Sequence, residues 1–575
     1  MKKAGRYLLL TALPLGVLIA LIAYYAADTL YWDEWDMFRL LDKFYNNTLT
    51  FQDIFMPHNA HRMVWAKILI LINAVYFRWN LYLEIAMNVL FAVGTSIIIF
   101  YAVEKMDFLD SKKRNVLYFT SACLIFSFSQ HINYMWGFQM AIFMSVFFDL
   151  LAVYLLVYGG TVGFFGAMVS GFFATFSFGS GVVIWPIGLL LLLFMRIAHN
   201  NNGRWGRKIV LWLVFSAINI CLCLHGGFAS QNSLLENVQY IFFHPHEFII
   251  LFTCYLGAPI AVFRQSAALA AGLGGLMLQA YSFVNIIRAR KFDKSLLFWI
   301  GADLYVLCSA AVTALARHSN ISATMTRRYV SISMIFWAAT FVIFAYALEC
   351  RHKSPLKKYL LFAAIVLPLS LSEENLLKAR NDYEARMLFN EQMKQGIYDN
   401  EHYLAAIFPF RSGAERIPLL RKYGIKNFEN APEKIEFNDF QSINFAPEYA
   451  AVSPISSFGI DSTSVRDLGF YTVKGWWKVD AFNKAERQDA RSSLILYDGS
   501  HAFEAAIETD RNRSAKDFRL KRYNELSSML KRQYFTANQL YIKSLPAGTY
   551  QVFLKVQGRN SDYYYAPLKK IVTVE

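Results

Sequence analysis

Charged residues are scarce in this sequence. Only 17% of its 575 residues are charged and 56% are hydrophobic, whereas soluble domains usually carry about 25% charged residues. This scarcity excludes an ordinary soluble protein. Apolar runs of about 20 residues, the length that spans a bilayer as a helix, recur along residues 1–372. We therefore expect a polytopic α-helical membrane protein.

Cysteine is absent from residues 373–575, although the chain holds six cysteines in or beside its apolar segments. This absence excludes a disulfide framework in the C-terminal part, even in an oxidising compartment. Acidic residues are outnumbered, with 42 Asp and Glu against 57 Lys and Arg. The surplus cations cluster in short loops between apolar runs, where they set membrane topology. We therefore expect a lipid bilayer and no nucleic acid as partner.

A typical cleavable signal peptide is also lacking, because the first apolar run is too long for a signal core and no clear cleavage site follows it. We expect an uncleaved first span with a cytoplasmic N-terminus. About eleven spans are predicted, at residues 7–27, 81–104, 116–130, 138–158, 160–178, 181–198, 209–225, 266–289, 295–315, 330–349 and 357–372. With eleven spans, every strongly cationic loop lies on the cytoplasmic side. These loops are 105–114, 204–208, 288–294 and 351–358.

Two apolar stretches, 63–79 and 240–263, must be left out of the spans for this topology to hold. Pro245, Gly257 and Pro259 interrupt the second stretch. We interpret both as interfacial or re-entrant segments on the outer face, which survive only where protein or water satisfies their backbone. They indicate a binding cavity on that face.

The C-terminal part is predicted to be an extracytoplasmic α+β tail. Residues 373–455 begin with a stretch rich in Glu, Lys, Arg, Leu and Ala, which predicts helix. Short alternating segments separated by turns predict a small β-sandwich over 456–575. We therefore expect a transmembrane domain over 1–372, with its first outer loop at 28–80, followed by these two outer regions.

Three carboxylates, Asp33, Glu34 and Asp36, follow the first span among tryptophans and a tyrosine. In a helix, Asp33 and Asp36 share a face. A carboxylate near low-dielectric surroundings can have a raised pKa and serve as a general base. The alternative is that these acids only cap the outer end of a helix. Their density, and the polar groups that follow, favour the catalytic interpretation.

A second polar segment reads His58-Asn59-Ala60-His61-Arg62. His58 and His61 are three apart, and with the upstream carboxylates they could ligate a metal. Alternatively, Arg62 and the imidazoles bind a phosphate or sugar hydroxyls. An amphipathic interfacial helix with a polar start is the third interpretation.

Three arginines lie between the ninth and tenth predicted spans, on the side where positive charge is disfavoured. They are Arg317, Arg327 and Arg328. Arginines there fit an anionic ligand such as a phosphate diester. Contact with lipid headgroups is the alternative.

These motifs together resemble the GT-C glycosyltransferases, multispan enzymes that use polyprenyl-phosphate sugars, and in particular bacterial members that glycosylate O-antigen and other surface polysaccharides. Trp32-Asp33-Glu34-Trp35-Asp36 is similar to the acidic motif of the family's first outer loop. His58-Asn59-Ala60-His61-Arg62 is similar to a His-Asn-Glu-His-Arg motif, with Ala60 in place of the glutamate. Trp136-Gly137-Phe138-Gln139 and Arg328-Tyr329 match further blocks. The resemblance covers most of the membrane half and the general layout of the tail.

The resemblance implies an inverting hexosyltransferase of the bacterial inner membrane with its site on the periplasmic face. The donor would be a polyprenyl-phosphate sugar, and the acceptor a surface polysaccharide, such as that of lipopolysaccharide, or a lipid-linked glycan. Arginines would stabilise the leaving phosphate, and Asp33, favoured over Asp36, would deprotonate the acceptor hydroxyl. The implied catalytic residues are Asp33, Asp36 and Glu34, the phosphate-binding residues are Arg327, Arg328, Arg317 and Arg62, and the substrate-binding residues are His58, Asn59, His61, Asn133, Trp136, Gln139 and Tyr329. No cofactor is assigned, and a divalent metal stays an open alternative.

A flippase or transporter for a lipid-linked saccharide is the first alternative function. It would need polar groups that line a path near mid-membrane, where Glu84, Asp149 and Asp303 are the main ionisable residues. The polar sets instead cluster at one predicted face, which favours chemistry there. An O-antigen polymerase or ligase is the second alternative. A noncatalytic scaffold for polysaccharide assembly is the third, and it leaves the acidic cluster without a purpose.

Overall fold

The chain forms two compact units. The computed structural model describes residues 3–428 with gaps at 60, 199–202, 226–233, 261–264, 291, 317–326, most of 352–371, 395–412 and 427, and beyond them eight β-strands and the turn 498–501. The first unit comprises Met1–Gln395 and His402–Ala431. The second comprises Gly396–Glu401 and Pro432–Glu575.

The first unit is built of helices, since apolar segments in a bilayer must satisfy their backbone hydrogen bonds internally. The helices are α1 (Lys3–Tyr25), α2 (Glu34–Tyr45), α3 (Phe51–Phe55), α4 (Val64–Tyr76), α5 (Leu81–Glu104), α6 (Ser111–Ile125), α7 (His131–Tyr134), α8 (Met140–Tyr158), α9 (Gly160–Thr175), α10 (Ile184–Ala198), α11 (Gly203–Leu224), α12 (Leu234–Phe243), α13 (Pro245–Leu256), α14 (Gln265–Ala289), α15 (Lys294–Ala316), α16 (Val330–Arg351), α17 (Glu373–Lys394) and α18 (Gly413–Lys422).

Eight helices among the described residues are long and apolar enough to cross a membrane. They are α1, α5, α8, α10, α11, α14, α15 and α16. This confirms the prediction of a multi-pass α-helical membrane protein. Two further predicted spans differ from the helices in the structure. α6 (Ser111–Ile125) has the predicted 15 residues but lies earlier in the chain than 116–130, and α9 has 16 residues and is shorter than the predicted 160–178. The predicted span 357–372 lies mostly outside the described residues.

The two apolar stretches left out of the span count contain only short helices. The first holds α4, whose 13 residues rise about 20 Å, less than the roughly 30 Å of a hydrocarbon core. The second is divided between α12 and α13, because Pro245 starts a new helix rather than continuing the old one. Neither stretch forms one straight helix of spanning length.

Ion pairs gather the cationic loop 105–114 and the N-terminal segment at one end of the bundle. Glu104, at the end of α5, pairs with Arg6 of α1 and Arg114 of α6. Lys113 pairs with Glu349 of α16 at 2.8 Å. Glu84, near the start of α5 and therefore at the other end, bonds instead to Asn73 of α4. The two ends of the bundle thus differ in chemistry, while the side each faces stays a prediction.

Bulky rings and close helix approaches fill the interior of the bundle. Trp185 and Trp212 are buried, and their rings lie 5.1 Å apart between α10 and α11. Gly188 permits this contact, because a Cβ there would lie 2.1 Å from the Trp212 ring. Gln279 of α14 also donates to Asp303 of α15 at 2.6 Å and to Thr340 of α16 at 2.7 Å. Both apolar packing and buried hydrogen bonds therefore hold the helices together.

The second unit is an antiparallel β-sheet. Its strands are β1 (Gln441–Ile443), β2 (Ser457–Arg466), β3 (Phe470–Lys478), β4 (Arg491–Tyr497), β5 (Ala502–Thr509), β6 (Gln533–Tyr541), β7 (Gly548–Gln557) and β8 (Tyr563–Val574). They pair in the order β2-β3-β6-β5-β4-β7-β8, with β1 beside β5. The strands at the two ends of this order, β2 and β8, contact each other, so the sheet curls back on itself. The predicted sandwich stays a prediction.

A tight turn and a central strand organise this sheet. The Asp498 carboxylate accepts the N–H groups of Ser500 and His501, and Gly499 supplies a φ of +103° in the loop between β4 and β5. The side chains of β4 at 494–496 are fully buried, in register with β5 on one side and β7 on the other.

Candidate functional site

A sharp turn after α1 aims Asp33 into the protein. Trp32 has a φ of +49°, a left-handed conformation that is uncommon for a bulky residue and is found where strain serves a site. Asp33 is the N-cap residue of α2, yet its carboxylate makes no capping hydrogen bond. Its Oδ2 lies 3.5 Å from Nη1 of Arg328 and 3.9 Å from Nε2 of His58. The carboxylate therefore does more than end a helix.

The segment 58–61 forms the opposite wall of the site. Two backbone hydrogen bonds join His58 and His61, and Asn59 between them has a φ of +50°. The His58 side chain is 11% exposed and lies edge-on to the ring of Phe138. The centres of the His61 and Phe178 rings lie 4.1 Å apart, and the ring planes are tilted by 30°. The turn thus presents both imidazoles to residues that come from distant parts of the sequence.

Asp36 lies one helical turn beyond Asp33, beside a different arginine. Its Oδ1 is 3.8 Å from Nη1 of Arg416, which belongs to α18, and its side chain is 34% exposed. Arg416 also donates to the carbonyl oxygen of Trp35 at 2.5 Å. Each aspartate therefore has its own arginine, and both aspartates lie close to His58.

The pKa values of the Asp33 and Asp36 carboxyl groups are shifted in opposite directions. Burial alone would raise the pKa of Asp33, but its contact with His58 and the charge of Arg328 outweigh burial and lower it. Burial raises the pKa of Asp36, and His58 and Arg416 only partly oppose it. Asp33 therefore stays ionised more readily, whereas Asp36 is the stronger base.

Arg328 is held in place through its backbone and its guanidinium plane. Asn133 donates through Nδ2 to the Arg328 carbonyl at 2.9 Å and to Oγ of Ser331 at 2.7 Å. The guanidinium lies 5.0 Å from the ring centre of Trp136, within cation–π range. It keeps 28% exposure, so an anion can reach it.

Asp33, Asp36 and His58 offer ligand atoms that all lie within 4.8 Å of one another. Nε2 of His58 is buried, and it neither donates nor accepts a hydrogen bond among the residues that the structure describes. Two carboxylates and one imidazole suit a divalent cation. Arg328 and Arg416 compete with such a cation, because each already lies beside one of the two carboxylates.

Two cavities meet at His58 and Asn59, which line both. The first, about 30 Å³, contains Asp33 and Arg328 and is closed by apolar residues of α8. The second, about 280 Å³, contains Asp36 and Arg416. The two aspartates therefore face different spaces, one with room for little more than a water and one with room for a small molecule.

Three predicted site residues take other roles in the structure. Arg62 donates from Nε, Nη1 and Nη2 to the carbonyls of Cys223, Phe55 and His225, so its guanidinium fastens backbone segments together. Glu34 is buried and accepts from the backbone N–H groups of Tyr31 and Phe138. Burial raises its pKa. Asn133 positions Arg328 as described. None of the three side chains lines either cavity, and their catalytic, phosphate-binding and substrate-binding roles stay predictions.

The remaining predicted residues either lie at the site or fall outside the described part of the chain. His61, Gln139 and Tyr329 line the first cavity, while Trp136 supports Arg328 from behind. Arg317 and the side chain of Arg327 lie outside the described residues.

Two arginines beyond the membrane half were missed by sequence reasoning. Arg416 pairs with Asp36, and Arg386 of α17 is buried over the ring of Tyr31 at 4.2 Å while donating to the Met135 carbonyl. Both occur in charge-rich helices, where an arginine that packs inward has the same spacing as one that faces solvent. No local signal in the sequence distinguishes them.

Comparisons with known proteins add little to this geometry. No protein-family model matches the chain, and no curated protein matches it. Among solved structures, the oligosaccharyltransferase of Archaeoglobus fulgidus, in complex with zinc and sulfate, aligns with 75% of this chain at 13% identity and a TM-score of 0.35. The alignment covers 59% of that protein, less than two thirds of its length. A similarity this low identifies neither the site nor its substrate.

Proposed function

We propose that this protein is a membrane glycosyltransferase that moves a sugar from a polyprenyl-phosphate donor to a hydroxyl of a polysaccharide or lipid-linked glycan. One observation carries the proposal. Two aspartates with opposite pKa shifts flank His58 at one end of an apolar helix bundle, each beside an arginine. This arrangement separates a leaving-group site from a base, as direct displacement at an anomeric carbon requires.

Arg328 is the proposed phosphate-binding residue. A guanidinium forms bidentate hydrogen bonds with phosphate, and the aromatic support of Trp136 orients its plane. The neighbouring cavity is lined by Ala141 and Ile142 of a candidate span. A donor whose lipid lies among the membrane helices would therefore bring its phosphate to this end of the bundle. Arg327 and Arg317 remain proposed partners of Arg328.

Asp36 is the proposed base, rather than Asp33. A base must face the acceptor and must accept a proton readily. Asp36 faces the larger cavity and its pKa is raised, whereas Asp33 is engaged by Arg328 and His58 and its pKa is lowered. In the proposed reaction the acceptor oxygen gives its proton to Asp36 and bonds to the anomeric carbon. The bond from that carbon to the phosphate oxygen breaks, the polyprenyl phosphate leaves, and the anomeric configuration inverts.

The buried polar residues of the bundle favour an enzyme over a transporter. Asp303 accepts from Gln279, Asp149 accepts from Ser145, and Glu84 accepts from Asn73. All three carboxylates are at most 3% exposed. In the described part of the bundle Asp303 and Glu84 bond to a neighbouring helix and Asp149 bonds within α8. None of the three lines either cavity, whereas a transport path needs polar groups that substrate can reach.

A divalent cation is a second candidate occupant of the site. Asp33, Asp36 and His58 would hold it, as the spacing of their ligand atoms favours. When bound, it would neutralise negative charge on the donor phosphate. A carboxylate bound to a cation is a weaker base, so the ligand and base roles of Asp36 exclude each other. Removal of divalent metal distinguishes them.

We further propose that the protein lies in a bacterial inner membrane with the site on the periplasmic side, because the cationic loop 105–114 lies at the opposite end of the bundle. Mass analysis of surface polysaccharide from cells with and without the gene tests the function. We expect loss of one hexose substituent without the gene and restoration by the wild-type chain. Unchanged polysaccharide in the deletion strain would contradict the proposal.

A further inference from the structure

The larger cavity carries an excess of positive charge. Arg39, Lys67 and Arg416 line it, together with one carboxylate, that of Asp36. The excess has a structural origin, because the three cations come from α2, α4 and α18, which converge on the turn that contains Pro57 and His58. Neutral sugar hydroxyls do not require three cationic side chains.

The three cationic side chains differ in the hydrogen bonds and ion pairs that they make within the protein. Lys67 donates to the carbonyls of Ile54 at 3.2 Å and Met56 at 2.5 Å. Arg416 is shared between Asp36 and the carbonyl of Trp35. Arg39 is exposed, and among the described residues it makes only a longer-range electrostatic interaction with Asp36 and Lys67. The N–H groups of the Arg39 guanidinium can therefore donate hydrogen bonds to a ligand.

We propose that the acceptor sugar carries an anionic group, a carboxylate or a phosphate, which Arg39 binds in this cavity while the acceptor hydroxyl faces Asp36. The inference rests on the proposed function and narrows its acceptor to acidic glycans. The cavity volume of about 280 Å³ lies just below the range of about 300–1,000 Å³ for drug-sized ligands, which suits one sugar ring. A guanidinium binds either anion in a bidentate manner, so the structure specifies the charge and the experiment identifies its source.

Binding can be measured separately from transfer. Saturation-transfer NMR on the purified full chain in detergent would compare methyl glucuronide and methyl galacturonide with the matching neutral methyl glycosides, and with methyl glucoside 6-phosphate. We expect the anionic probes to bind at least about tenfold more tightly than their neutral counterparts, since hydrogen bonds to a charged group contribute about 1.5–3 kcal/mol. Preference for the uronides or for the phosphate then identifies the anion.

Arg39→Gln should reduce that preference by about tenfold or more, while Arg380→Gln is the matched control. Arg380 is an exposed arginine paired with Glu384 on α17, and it lines neither cavity. Equal binding of anionic and neutral probes, no binding of any probe, or an unchanged preference in Arg39→Gln would overturn the inference. Selective binding of acidic probes without sugar transfer would instead refute the proposed function and leave the anion site intact.

Discussion

Replacing Asp36 by Asn tests the assignment of the base. The substitution keeps the size of the side chain and removes its capacity to accept the acceptor proton. General-base losses are typically about 10²–10⁴-fold, and we expect kcat for transfer to fall within this range. The protein should stay folded, because Arg416 keeps its hydrogen bond to the Trp35 carbonyl and a partly exposed ion pair contributes only about 0.2–1 kcal/mol.

Two matched variants make this experiment decisive. Asp42→Asn changes another aspartate of α2, which bonds to Tyr423 rather than lining a cavity, and it should transfer at the wild-type rate. Asp33→Asn removes the partner of Arg328 and should mainly change the KM for the donor. The assay follows transfer from a radiolabelled polyprenyl-phosphate sugar by purified protein, with monodispersity checked for each variant. A wild-type kcat in Asp36→Asn, or a larger kcat loss in Asp33→Asn, would refute the assignment.

The pH profile should follow the same residue. Burial raises the pKa of Asp36, and a base acts only when it is deprotonated. The transfer rate should therefore rise with pH through this raised pKa and then level off, and Asp36→Asn should lack that rise; an identical profile in both proteins would argue against the base. Arg328→Gln should raise the donor KM about tenfold or more, and Arg328→Lys should restore it only in part, because lysine lacks the bidentate fork; an unaltered donor KM would remove its role. Arg62→Gln should instead lower the free energy of unfolding of the detergent-solubilised protein by about 3 kcal/mol or more, because its three carbonyl partners lose a charged donor. The donor KM should change little. A variant of wild-type stability with a raised donor KM would support a phosphate-binding role for Arg62. EDTA should leave transfer unaffected, since Arg328 and Arg416 already neutralise the carboxylates, and loss of activity that Mn²⁺ restores would favour the cation. Reporter fusions at Asp107 and Asn430 should report opposite sides of the membrane, and same-side signals would overturn the topology.

Most of the candidate site could be predicted from the sequence because the proposed residues occur in short motifs. Asp33, His58 and Arg328 were each identified from local clusters of charge and aromatic residues, and the structure brings them together. The role of each residue could not be assigned from these local clusters. The choice between Asp33 and Asp36 depends on Arg416, which reaches the site from a helix almost 400 residues further along the chain.

Arg62 shows why a motif does not fix a role. An arginine next to two histidines fits a phosphate site by composition, yet its guanidinium is occupied by three backbone carbonyls, two of them at the end of α11. The fold followed the sequence best where length and hydropathy decide, as in the eight long apolar helices. The fold departed from the prediction where a helix ends early, as α6 does at Ile125, because the chain then forms a short 3₁₀ segment at Phe128–Gln130.

Analysis of the lipid and glycan products from one reconstituted reaction tests the central claim most directly. Purified protein in liposomes would receive a polyprenyl-phosphate sugar of known anomeric configuration and an acidic glycan acceptor. We predict equal amounts of free polyprenyl phosphate and glycosylated acceptor, with NMR showing the inverted anomer. An intact lipid-linked sugar that has only moved between the leaflets would contradict the account and identify the protein as a transporter.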